Sequence, residues 1–196
     1  GASKGEGLGN RFLGQIRQVG AIIHVIRCFK DDNVTHVEVS VDPVRDAEII
    51  ETELLLADLE TLEKQYAKTE KLVKSGGKKE KKKFDVISRL SKHCNEGHRA
   101  RTFRVDEDEV AIINSLHLLT QKPILYVSNV DEKEITHEQP GHIVQRLADF
   151  ANKEGNSAIR LCSKLEQEIA DLSNIERDMF LKDYTLSDPG LYKLMH

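Results

Sequence analysis

Tryptophan is absent from this sequence of 196 residues, and aromatic residues make up only 5% of it. Charged residues, by contrast, reach 32%, a composition more typical of long exposed helices than of an all-β sandwich. The three cysteines, Cys28, Cys94 and Cys162, are widely spaced and form no C-x-x-C pair. A disulfide scaffold and a cysteine-rich zinc site are therefore disfavoured, and a reducing compartment, the cytoplasm, is expected.

Long apolar segments are missing as well. The longest apolar runs, such as that from Leu54 to Ala57, are far shorter than the stretch of about 20 residues that spans a bilayer. No membrane partner is therefore expected. The 29 basic and 33 acidic residues nearly balance, giving a net charge of −4 at pH 7. Length and composition fit one medium-sized domain or two small ones.

Three short apolar segments have the β-branched character of strands that are buried in a parallel sheet. They cover residues 21–29, 123–129 and 158–162. Apolar residues at helical spacing lie before, between and after them, at residues 10–19, 106–119 and 143–152. Strands that alternate with helices indicate an α/β domain with a parallel sheet.

A long helical hairpin is predicted between the first and second strands. From Thr52 to Val73, core-type residues recur in alternating steps of three and four, which is the pattern of a coiled-coil seam. The pattern stops at the Ser-Gly-Gly of residues 75–77 and resumes from Phe84 to Cys94. Two helical runs joined by a short glycine turn predict an antiparallel pair. Lysines cluster at the predicted tip of this hairpin.

Polar residues follow the second and third strands, at the edge of a parallel sheet where α/β proteins bind their ligands. They are Asn129, Val130, Asp131 and Glu132 after the second strand and Cys162, Ser163 and Lys164 after the third. The Asn129 amide can donate and accept hydrogen bonds, and the Glu132 carboxylate adds an acceptor, so together they suit the edge of a purine. A plain turn is the alternative, because Asn and Asp are common turn formers at strand ends.

Several segments closely resemble the YchF (Obg-like ATPase) family of the P-loop GTPase superfamily. They are residues 1–10 (GASKGEGLGN), 23–29 (IHVIRCF), 41–43 (VDP) and 129–132 (NVDE). The resemblance extends over essentially the whole chain. It implies a GTPase-like nucleotide-binding domain with an inserted coiled coil, in a protein that hydrolyses ATP with Mg²⁺, also binds GTP, and associates with ribosomes.

The resemblance also assigns base-binding roles to individual residues. Asn129 matches the base-reading asparagine of the GTPase fold. Glu132 stands where guanine-specific relatives have Asp, and Val130 stands where they have Lys, which implies a weaker preference for guanine. The last base-contacting turn of the family is matched by Cys162, Ser163 and Lys164.

Two further roles implied by the resemblance concern the switch region and the attacking water. A mobile switch segment, in which glycine permits backbone rearrangement, is matched by Gly5, Gly7 and Gly9. His36 corresponds to a family histidine that is a candidate for positioning the attacking water, a task that other GTPases give to a glutamine. A solvent-facing loop histidine is the alternative for His36.

The sequence departs from the family in having no G-x-x-x-x-G-K-[ST] loop for the phosphates and Mg²⁺. In the family this loop lies upstream of what is here Gly1, and a TGS domain follows at the other end. The chain is therefore expected to be an internal fragment, with a partial nucleotide-binding domain at 1–43 and 104–196 and a coiled-coil insertion at 44–103. Alone, it is expected to be inactive and to hold no metal or cofactor.

A second hypothesis makes the hairpin the working part, as a non-catalytic module that binds RNA, the ribosome or a protein partner. The lysines that would make the contact are Lys78, Lys79, Lys81, Lys82 and Lys83. A basic tip on an otherwise acidic chain favours contact with a phosphate backbone, although a solvated turn is the simpler interpretation. Few aromatics accompany the lysines, so neither RNA nor DNA is expected to be read by sequence.

Overall fold

The computed structural model describes residues 7–30, 41–75, 78–184, 186–190 and 192. Its strands are β1 (Ile22–Arg27), β2 (Ile124–Asn129) and β3 (Ser157–Leu161). Its helices are α1 (Gly7–Ile16), α2 (Pro43–Lys74), α3 (Lys78–Asn95), α4 (Val110–Asn114), α5 (Glu132–Thr136), α6 (His142–Lys153), α7 (Ser163–Ala170) and α8 (Asn174–Asp183). One 3-10 turn, Ala100–Thr102, follows α3.

The chain divides into two compact units. The helical unit comprises residues 1–22 and 48–123, and the sheet unit comprises residues 23–47 and 124–196. The division runs through α2, whose first turn belongs to the sheet unit.

The three strands lie side by side in the order β1-β2-β3. β2 and β3 are parallel, with Leu125 opposite Ser157 and Asn129 opposite Leu161. β1 runs in the same direction as β2, because the Cys28 N–H donates to the Asn129 carbonyl at 2.8 Å, at the corresponding end of both strands. The predicted parallel sheet is confirmed.

The core of the sheet unit is built around the central strand, β2. Tyr126 has no exposed surface, and Val127 is almost as deeply buried. The Phe150 ring of α6 meets the Tyr126 ring edge-on at 5.7 Å between centroids, and Leu147 of the same helix is fully buried. α6 packs against both β2 and β3, so it fixes the two strands whose ends carry the polar residues.

The prediction that the first strand is buried on both faces is wrong. Ile23 and Val25 are 54% and 58% exposed, whereas Ile26 is buried. β1 is an edge strand, and no helix of the described residues covers the face that carries Ile23 and Val25. The composition of the strand predicted a neighbour that this part of the chain does not supply.

The helical hairpin has the predicted antiparallel arrangement. Near its tip the rings of Tyr66 and Phe84 lie 4.9 Å apart, while at the other end Leu56 and Asn95 line the same groove. The buried seam is made by Leu55, Leu62, Val86, Ile87, Leu90 and Cys94. Burial of these apolar side chains drives the two helices together.

Two carboxylates of α2 are buried inside the helical unit. Asp58 accepts hydrogen bonds from the Leu119 N–H and the Thr120 N–H, both at 2.7 Å, and from the Thr120 hydroxyl at 2.8 Å. Arg17 approaches the same carboxylate at 3.5 Å. Glu51 accepts from the Arg101 guanidinium at 2.7 Å. These bonds tie α2 to distant segments of the same unit.

The helix predicted over residues 106–119 is wrong in length, because α4 covers only Val110–Asn114. After it, the Leu116 and His117 N–H groups bond carbonyls three residues back, and His117 adopts a left-handed backbone with φ 49°. The apolar residues continue beyond the helix because Leu118 and Leu119 remain buried in an irregular segment. Apolar spacing alone therefore overestimates the length of this helix.

Candidate functional site

The ends of β2 and β3 bring the two polar segments of the sequence together. Asn129, the last residue of β2, lies opposite Leu161, and the Val130 N–H donates to the Leu161 carbonyl at 2.9 Å. The chain then turns into α5 after β2 and into α7 after β3. The first turns of these two helices therefore share one edge of the sheet, as predicted from the order of the elements.

The Asn129 side chain is held in place by α7. The Ser163 backbone N–H donates to the Asn129 side-chain oxygen at 3.0 Å. The N–H groups in the first turn of a helix have no acceptor within the helix, so this contact satisfies one of them. Because the amide oxygen is bound to the protein, the two N–H donors of the Asn129 amide remain to contact a ligand.

Beside this contact, an ion pair joins the two helices. The Lys164 ammonium, on the second residue of α7, donates to the carboxylate of Glu132, the first residue of α5. The hydrogen bond from Lys164 lowers the pKa of Glu132, and the same bond raises the pKa of Lys164. The two side chains are 67% and 35% exposed for Lys164 and Glu132, so the pair is open to a ligand.

Val130 and Cys162 lie beneath the surface of the site. Their exposed fractions are 2% and 3%. Burial raises the pKa of the Cys162 thiol, an effect opposed by the N–H groups of Leu165 and Lys164. The two side chains are therefore buried beneath the site and are not exposed to a ligand.

The segment after β2 is held by Asp131, which the sequence placed at the strand end without a role, and by Arg160, which was not predicted. The Asp131 carboxylate caps α5 by accepting from the Glu134 N–H at 2.8 Å. From β3, the Arg160 guanidinium donates to the carbonyls of Glu134, His137 and Glu138 at 3.3, 2.8 and 3.4 Å. An arginine within an otherwise apolar strand was the available signal for this role.

The remaining predicted residues lie in other elements or outside the described part of the chain. His36 and Gly5 lie outside the described residues, and Gly7 and Gly9 fall in the first turn of α1. Of the hairpin lysines, Lys78 and Lys79 begin α3, Lys81 is exposed, Lys83 is half-buried and Lys82 pairs with the Asp108 carboxylate.

Neither a metal cluster nor a membrane span is present in the described part of the chain. No group of three or more His, Cys, Asp or Glu side chains there is arranged to hold a metal ion. In the same residues, no helix is both long and apolar enough to cross a membrane.

The chain has clear relatives among known proteins. No family model matches the chain. It is 44% identical over 195 residues to the protein named Ribosome-binding ATPase YchF from Bacillus subtilis, a match that covers 100% of this chain and 53% of the relative. Proteins of the same name from Escherichia coli O157:H7 and Haemophilus influenzae are 38% and 37% identical, with the same coverage.

A solved structure gives the same result at the level of the fold. The Schizosaccharomyces pombe YchF GTPase matches the whole chain with a TM-score of 0.85 and 32% sequence identity, over 53% of its own length. The chain thus has the α/β fold of a GTPase-like protein. More narrowly, it is homologous over its whole length to the YchF proteins, which confirms the resemblance stated from the sequence. It spans about half the length of the curated relatives it matches.

Proposed function

We propose that the ends of β2 and β3 form the base-binding part of a nucleotide site, in a protein whose intact form hydrolyses ATP and also binds GTP. The observation that carries this proposal is the bond from the Ser163 N–H to the Asn129 side-chain oxygen at 3.0 Å. It turns the Asn129 amide into a fixed pair of donors at the ligand-binding edge of a parallel sheet. A purine ring nitrogen is an acceptor of the kind that such donors bind.

Phosphate binding and hydrolysis are proposed for the longer protein that contains this segment. The sequence has no G-x-x-x-x-G-K-[ST] loop, and the described residues do not fit a Mg²⁺ site. On this proposal, the loop that holds the phosphates and Mg²⁺ belongs to a part of the longer protein outside this sequence. Within the same proposal, Gly5, Gly7 and Gly9 belong to a switch segment and His36 helps to position the attacking water.

The base-reading role of Asn129 is tested by nucleotide affinity. In the full-length protein that contains this segment, Asn129→Ala should weaken ATP and GTP binding by about tenfold or more, because it removes a hydrogen bond to the base. Titration calorimetry with both nucleotides measures the change. Asn152→Ala, at an exposed position of α6, is the matched control and should leave both affinities unchanged. Unchanged affinity in Asn129→Ala would reject the proposal.

A second proposed function is ribosome or RNA binding by the tip of the helical hairpin, in a cytoplasmic protein. Five lysines lie within the first six residues of α3: Lys78, Lys79, Lys81, Lys82 and Lys83. Relatives that cover the whole chain are named as ribosome-binding. A basic cluster of this kind binds the phosphate backbone through charge, so binding should weaken steeply with salt. On this proposal the coiled coil of residues 44–103 is an inserted domain.

Charge reversal separates this role from a solvated turn. Changing the five lysines to glutamate should abolish salt-sensitive ribosome co-sedimentation. The control reverses Lys64 and Lys68, two exposed lysines of α2, and should retain binding. Binding that persists after reversal of the five lysines would show that the tip is not the contact.

A further inference from the structure

The Glu132–Lys164 ion pair frames the same edge of the sheet as the Asn129 amide. Glu132 follows Asn129 by three residues, and Lys164 follows Ser163, whose N–H holds that amide. The pair therefore lies next to the group proposed to contact the base. What this pair does to the choice of base rests on the proposed nucleotide-binding function.

Both members of the pair are placed by fixed backbone. The segment that carries Glu132 is capped by Asp131 and held through the Arg160 guanidinium, and Lys164 lies in the first turn of α7. The contact between the two side chains is thus set by the strand ends. Within the described residues, neither Glu132 nor Lys164 forms any other ion pair.

The two purines differ in what they present to such a pair. Guanine offers two neighbouring donors, its N1–H and its exocyclic amino group, which an unpaired carboxylate accepts together. Adenine has an acceptor at N1 and carries a hydrogen atom at C2, where guanine carries its amino group. A carboxylate that accepts both guanine donors meets an acceptor at adenine N1 instead, and the 6-amino group is the one donor that adenine has at that edge.

We propose that Lys164 is a specificity-determining residue, which lowers the preference for guanine by occupying the Glu132 carboxylate and adds a donor that adenine N1 accepts. A guanine nucleotide would have to displace the ammonium to use both of its donors. An adenine nucleotide leaves the ion pair intact. The pair therefore shifts the site toward adenine through a contact that the free protein already contains.

The simpler interpretation is an exposed ion pair with no role in recognition. Pairs at the surface contribute little to folding stability because both ions are well solvated. Recognition differs from stability, since a bound base removes water from the pair and strengthens its electrostatic interactions. The experiment must therefore compare two nucleotides rather than measure stability.

Lys164→Met, which removes the charge and keeps much of the side-chain length, is the decisive variant. In the full-length protein that contains this segment, it should raise GTP affinity relative to ATP affinity by about tenfold, the effect of one charge-assisted hydrogen bond. Lys164→Arg keeps a cation and should retain the original ratio. Lys133→Met removes an exposed charge next to Glu132 that has no described bond to it, and should also leave the ratio unchanged.

Coupling to Glu132 makes the test specific. In a Glu132→Gln background the carboxylate is gone, so Lys164→Met should shift the ratio of affinities toward GTP by less, through loss of the donor to adenine alone. An unchanged ratio in Lys164→Met, or an equal shift in the Glu132→Gln background, would overturn the inference. If Asn129→Ala weakens both nucleotides while Lys164→Met leaves the ratio unchanged, only this inference fails. If Asn129→Ala has no effect, the proposed function itself fails.

Discussion

In the helical unit, the carboxylates of Glu51 and Asp58 have no exposed surface, whereas in the sheet unit Glu132 is 35% exposed and its partner Lys164 is 67% exposed. The buried carboxylates bond main-chain N–H groups and arginines that come from remote parts of the sequence. The exposed pair joins two side chains at the ends of adjacent strands. These charged side chains are thus buried in the helical unit and exposed at the strand ends of the sheet unit.

The difference separates structural charges from charges that are available for recognition. Removing one partner of a buried ionic network leaves the other groups unsatisfied away from water, which is costly. Removing one partner of an exposed pair lets water replace it. Mutations of these charges should therefore affect folding in the helical unit and, on the proposed function, the choice of ligand in the sheet unit.

The largest effect is expected from Asp58→Ala. It leaves the N–H groups of Leu119 and Thr120 without their acceptor, and the free energy of unfolding should fall by about 3–5 kcal/mol. Urea unfolding followed by circular dichroism measures it. Asp85→Ala, at an exposed position of α3, should change stability by less than about 0.5 kcal/mol. Equal effects of the two substitutions would break the comparison.

The apolar seam of the helical unit should be the next most sensitive feature. Leu62 is 1% exposed and Leu56, on the same helix, is 45% exposed. Leu62→Ala should therefore lower the free energy of unfolding by about 2–4 kcal/mol through lost burial and a cavity, and Leu56→Ala by about 1 kcal/mol or less. The same unfolding experiment compares them. A larger loss for Leu56 would contradict the observed seam.

In the sheet unit, Arg160→Met should loosen the segment after β2 rather than unfold the unit. It removes the donors to the carbonyls of Glu134, His137 and Glu138. Amide hydrogen exchange over residues 132–141 should become about tenfold faster, because local opening then costs less. Arg146→Met removes a guanidinium of α6 whose partner among the described residues is the Asp42 carboxylate, and it should leave this exchange unchanged. Unaltered exchange in Arg160→Met would show that other contacts hold the segment.

The smallest expected effect is on the titration of Glu132. The hydrogen bond from Lys164 lowers the pKa of this carboxyl, so the stabilisation is present above the usual glutamate range and is lost as the pH falls through the lowered value. In Lys164→Met the Glu132 side-chain carboxyl carbon should titrate at a higher pH than in the unchanged protein. Carbon-13 NMR of the carboxyl groups measures this shift. Identical titration curves would mean that the pair is absent in solution.

Much of the fold follows from local sequence patterns. Residues 123–129 and 158–162 were predicted as strands, and the structure has Ile124–Asn129 and Ser157–Leu161. The coiled-coil spacing predicted the antiparallel hairpin, because a repeating apolar seam needs a facing partner. The strand ends gave Asn129 and Lys164 as candidates, since the topology of a parallel sheet places them at one edge.

The errors have physical causes that local patterns do not contain. The exposed face of β1 is apolar, and apolar β-branched residues predict a buried strand. Composition does not show whether the element that would cover this face is present among the described residues. The helix predicted over 106–119 is too long because Leu118 and Leu119 are buried in the core without being helical, so their apolar character was taken for a continuation of the helix. Arg160 was not predicted to hold the segment after β2, since its carbonyl partners are 22 to 26 residues away.

By itself, the sequence determined the alternation of strands and helices, the helical hairpin and the polar residues that end the strands, because each depends on residues within a few positions of one another. Only the tertiary structure decided that Asp58 is a buried acceptor for N–H groups 61 and 62 residues away. It likewise decided that Glu132 and Lys164, 32 residues apart, form one ion pair beside Asn129. Charge acquires its role from the surroundings that folding provides, since burial and partners set whether a carboxylate holds the fold or meets a ligand.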